Sequence, residues 1–126
     1  MINLRSKIIE KMVKIMKIAA NAYVSENIKH KTITVAKFRV NKLVPGVYII
    51  READDPDQLE IMRADLFKQK SLRQSDEKPI LAFASGYDDA VDIITNITKD
   101  AVEKYGFPYL KKYVNSEYYG SITYNS

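Results

Sequence analysis

The chain has 126 residues, 46% of them hydrophobic and 29% charged, and no cysteine. That usage suits one α+β domain over residues 1–126 in a reducing, intracellular (cytoplasmic) setting, and it excludes the disordered class, disulfide scaffolds and thiolate zinc sites. The net charge of +4 hides a division: residues 1–51 carry 11 Lys/Arg against Glu10 and Glu26 (+9), whereas residues 52–126 carry 9 against 14 acids (−5).

Residues 4–24 read as a long N-terminal helix. Ile8, Met12, Ile15, Ala19 and Ala22 recur at helical spacing, with Ile9, Met16 and Tyr23 beside them. Asn3 or Ser6 is placed to cap it, and Lys7, Glu10, Lys14, Lys17 and Asn21 take the opposite face. Lys7, Lys11, Lys14 and Lys17 break every apolar run, so neither a secretory signal nor a membrane span is expected here. Residues 32–40, dense in β-branched side chains, and residues 47–52 read as a hairpin. Leu43-Val44-Pro45-Gly46 supplies a type II turn between them, with proline presetting φ and glycine supplying a positive φ. In the first of these strands the apolar phase switches, from Ile33 and Val35 to Ala36, Phe38 and Val40, which reads as a bulge or as burial on both faces.

Asp55-Pro56-Asp57-Gln58 announces a helix start, followed by an inward stripe of Leu59, Met62 and Leu66. Residues 68–78 hold one apolar side chain, Leu72, and read as a solvated loop. The unbroken run at 79–84 suits a strand buried on both faces. Ser85-Gly86-Tyr87-Asp88 then caps a second long helix over 88–105, Ser85 serving as its N-cap, with Ala90, Val91, Ile94, Ile97, Ala101 and Tyr105 inward, and Gly106 and Pro108 end it. Residues 109–114 add a turn or two of helix, and 121–124 a short edge strand. The expected fold is thus a small mixed or antiparallel sheet of three or four strands (32–40, 47–52, 79–84 and 121–124), with the N-terminal helix and the 88–105 helix packed on it.

Chemical motifs are scarce. The acids Glu52, Asp54, Asp55, Asp57 and Glu60 match no calcium-loop spacing and are explained by helix capping. Ser85 lacks the preceding glycine of a nucleophile elbow, and the single histidine, His30, sits between Lys29 and Lys31. With glycines only at 46, 86, 106 and 120, neither phosphate-cradling motif occurs. No catalytic residue, cofactor, metal ligand or small-molecule substrate is indicated.

Two constellations remain. Arg5, Lys7, Lys11, Lys14 and Lys17 form a basic helical face suited to nucleic-acid phosphates or an acidic partner, and the excess continues through Lys29, Lys31, Lys37, Arg39 and Lys42. The tyrosines Tyr109, Tyr113, Tyr118, Tyr119 and Tyr124 suit a protein interface, because tyrosine brings rigid contact area and a hydroxyl. Charge separated between halves points to charged partners or to self-association. The expectation is therefore a non-enzymatic interaction or assembly protein, a homo-oligomer or a structural or accessory subunit of a larger complex such as a virion or similar particle. The alternative is a nucleic-acid-binding protein using the basic face of the N-terminal helix.

Overall fold

The computed structural model describes residues 18–39, 44–54, 56–65 and 78–119. Within them, four strands form one mixed sheet in the order β1-β4-β2-β3: β1 is Ile18–Val24, β2 Val47–Glu52, β3 Leu59–Arg63 and β4 Ile80–Ser85. Three helices accompany it, α1 (Lys31–Arg39), α2 (Tyr87–Tyr105) and α3 (Leu110–Glu117), giving the α+β class expected.

β4 lies inside the sheet, parallel to β1 and antiparallel to β2. Its residues Ile80, Leu81, Ala82, Phe83 and Ala84 are fully buried, as an apolar run covered on both faces requires. Strand alternation sends Ala82, Ala84, Tyr48 and Ile50 toward α2, and Phe83, Val47 and Ile49 toward α1. The two helices therefore cover opposite faces. On the α1 side Phe38 meets Phe83 edge-on, ring centroids 5.3 Å apart, and Ile28, Val35 and Val44 complete the cluster. The pairing skips Leu81 between Ile50↔Ala82 and Arg51↔Ile80, and its side chain joins Ala19 and Val114 under α3.

Three expectations are corrected. The long N-terminal helix is not matched: its last part, Ile18–Val24, is strand β1, while 1–17 lies outside the described residues. Ala19 and Ala22 fit a helical stripe and a strand face equally well, and as strand residues they give Val114 of α3 room against the sheet. The expected strand 32–40 is instead helix α1, and the apparent phase switch is helical period. Val35 and Phe38, three apart, share the buried side, a contact that outweighs the weak helix propensity of Thr32, Ile33 and Thr34.

The expected helix after Asp55 is strand β3, paired with β2 from Tyr48↔Arg63 to Glu52↔Leu59. Here the Pro56 region makes a hairpin loop, in which the Gln58 amide donates to the Pro56 carbonyl at 2.7 Å and the Ala53 amide to the Gln58 carbonyl at 2.9 Å. The hairpin is thus β2–β3, and α1 takes the place of its expected first strand. The turn ahead of β2 does form, with Gly46 at φ 78° and the Val47 amide donating to the Val44 carbonyl. β2, β4 and α2 match the strands at 47–52 and 79–84 and the helix at 88–105 to within a residue. Gly106 ends α2 in the left-handed conformation, donating to the Val102 carbonyl at 2.7 Å. The 121–124 strand lies outside the described residues. Among the described residues no helix is long and apolar enough to cross a membrane.

Candidate interaction surfaces

α1 is held to the sheet chiefly through Phe38, so most of its polar residues face outward. The side chains of Lys29, His30, Lys31, Lys37 and Arg39 are exposed, and none has a hydrogen-bond or ion-pair partner among the described residues. Glu26 is the one acid in this stretch. Between α1 and the end of β1 runs an open groove of about 420 Å³, with Val24, Val35 and Ala36 in its wall and Lys31 and Arg39 on its rim.

α2 on the opposite face divides into three sides. Ala90, Ile93, Ile97 and Ala101 are buried on the sheet. Beside them Tyr87, Val91, Ile94, Thr98, Val102 and Tyr105 follow at steps of three and four, an uncharged stripe in which Tyr87 packs edge-on against Tyr48. The remaining side holds Asp88, Asp92, Lys99 and Glu103, all exposed and without partners among the described residues. At the start of α2 the Asp89 carboxylate accepts from the Ser85 amide at 2.8 Å and from Asn27 at 3.0 Å. Burial pushes the Asp89 carboxyl up, but hydrogen bonds from the Ser25 hydroxyl, the Ser85 amide and Asn27 hold it below the usual range. The expected Ser85 cap is replaced by this reach-back, since Gly86 precedes the helix with no side-chain cap.

The acidic cluster is consumed within the molecule. Glu60 pairs with the buried Arg51 at 2.6 Å, and Asp54 pairs with Lys78. Asp57 accepts the Lys111 amide at 2.7 Å, capping α3 across the structure where Tyr109 contributes no side-chain cap. The Lys111 ammonium donates to the Ala53 carbonyl at 2.6 Å and lies 3.8 Å from Glu52, which also accepts from the Tyr119 hydroxyl. Burial raises the Glu52 carboxyl above its ordinary value, against the pull of Lys111 and Lys78. Asp55 lies outside the described residues. No set of three or more His, Asp or Glu side chains among the described residues is arranged to hold a metal ion.

The tyrosines take different roles. Tyr109 is exposed and packs against Tyr105 and Phe107, with Lys112 4.6 Å above the Tyr105 ring. Tyr113, half-buried, points its hydroxyl at Asp100. Tyr118 and Tyr119 anchor the end of α3 to the sheet, and burial pushes the Tyr118 hydroxyl up to about 12. Tyr124 and the cationic set Arg5, Lys7, Lys11, Lys14 and Lys17 lie outside the described residues. Sequence reasoning missed the outward acids of α2. Their signal was present in the 3.6-residue period, but it becomes readable only once the buried side of the helix is known.

Comparison with known proteins finds no matching family model, no matching curated protein and no matching solved structure.

Proposed function

We propose that this chain is an interaction protein that docks as a subunit of a larger assembly, with α1 and the loop before it as the contact face. The observation that carries this reading is an apolar groove rimmed by the exposed cations Lys31 and Arg39, which have no partner among the described residues, with exposed Lys29 in the loop before α1. Single-sign charge left unneutralised repels itself, and it is matched when an acidic surface is brought against it. The groove adds apolar area for the contact to bury.

A labelled polyglutamate, titrated with the protein at low salt, tests the reading through its anisotropy. Binding that is lost in the Lys31→Glu/Arg39→Glu variant and kept in Lys104→Ala supports it; no binding, or binding indifferent to α1, rejects it. A second reading, nucleic-acid binding, draws on the same cations. It predicts that a single-stranded oligonucleotide binds in preference to polyglutamate, with affinity falling steeply as salt displaces phosphate contacts.

A further inference from the structure

We infer that the partner of α1 is a second copy of this chain, docked head to tail so that the α1 face of one molecule lies on the outer side of α2 of the next. This rests on the docking function proposed above and names its occupant. The two surfaces complement each other in charge. Around the groove, α1 and its loop offer Lys29, Lys31 and Arg39 against Glu26, whereas the outer side of α2 offers Asp88, Asp92 and Glu103 against Lys99.

They also complement each other in apolar shape. On one side is the groove walled by Val24, Val35 and Ala36. On the other are Val91 and Val102 of α2, 38% and 41% exposed and bordered by those acids. Spacing is compatible: Lys31 and Arg39 stand about 12 Å apart along α1, and Asp92 and Glu103 about 16 Å apart along α2, at 1.5 Å per residue. Long lysine and arginine side chains span the difference.

Because α1 and α2 cover opposite faces of the sheet, the contact cannot be closed by a two-fold axis. A heterologous contact between opposite faces repeats, so the product is an open stack or a ring rather than an isologous dimer.

Sedimentation equilibrium at low salt over a concentration series tests this with three proteins: wild type, K31E/R39E, and the charge-swapped K31E/R39E/D92K/E103K. All four positions are exposed, and circular dichroism checks that each variant is folded. The expected result is self-association of wild type, weakened about tenfold or more in the double variant by like charges facing each other, and regained in the swapped chain. Self-association that survives K31E/R39E, or that the swap fails to regain, overturns the inference. So does a wild type that stays monomeric at every concentration. In that case polyglutamate binding separates the two claims: if it persists and depends on α1, the docking function stands and only the identity of the partner is wrong.

Discussion

On the α2 and α3 side of the molecule most basic side chains are tied into the fold; on the α1 side they are left facing outward. From β2 onward, Arg51, Arg63, Lys78, Lys104 and Lys111 each meet an acid, and Lys112 lies over Tyr105. Between β1 and the end of α1, no basic side chain does so among the described residues. The contrast follows from how each region is anchored. α3 has only Leu110 and Val114 buried, so its attachment needs the polar latch around Lys111. α1 has the Phe38 ring packed on Phe83, and its charges meet no partner among the described residues.

The contrast breaks most severely at that ring. Phe38→Ala should cost about 3–5 kcal/mol, the range for emptying a fully buried aromatic site, seen as a lower midpoint in guanidinium unfolding. K31E/R39E on the same helix should leave the midpoint almost unchanged; a large loss there would mean that the α1 charges do serve the fold. Next comes Glu60→Ala, which removes the 2.6 Å partner of a guanidinium whose side chain is 9% exposed. The expected cost is about 1–3 kcal/mol. Asp57→Ala removes the cap on α3 and should cost about 1 kcal/mol, with the loss of hydrogen-exchange protection concentrated in 110–117.

Much of this was legible in advance, and the reason differs by element. β4 and α2 admit one interpretation each: five consecutive buried apolar residues cannot face water, and α2 carries its own stop at Gly106. β1, α1 and β3 are short segments whose local pattern fits two periods, so tertiary contacts decide. Leu59 and Met62 are three apart and suggested a helix, yet they lie on opposite faces of β3. Asp55-Pro56-Asp57-Gln58 reads as a helix start, because the residues that suit a helix N-terminus also suit the hairpin loop found there. The acidic cluster reads as capping a helix that is instead strand β3, and the partners of Asp54 and Asp57, 24 and 54 residues away at Lys78 and Lys111, carry no local signal. The outward α1 cations were seen as a continuation of the basic excess, but the misassigned strand hid the groove that Lys31 and Arg39 rim.

Two smaller effects sharpen the comparison. The folded Glu52 carboxyl titrates above its unfolded value, so the folded state binds the extra proton in between. Its contribution to stability is present below the unfolded value, about pH 4.3, and is lost as pH rises through the folded value. Glu52→Gln should remove that slope, so the stability difference between variant and wild type shifts in favour of the variant as pH rises across this window. The smallest effect belongs to Lys104→Ala. Its pair with Glu117 is 44% and 42% exposed, so solvent screens it and its loss should leave the unfolding midpoint almost unchanged.

The claim at the centre, that outward charge on α1 exists for a partner, is tested most directly by light scattering on the eluting protein at low and high salt. The account predicts a nucleic-acid-free mass that rises above 14.5 kDa with concentration at low salt, recedes at high salt, and stays at 14.5 kDa in K31E/R39E. A wild-type mass of 14.5 kDa at every concentration and salt, together with no α1-dependent binding of polyglutamate, would contradict it.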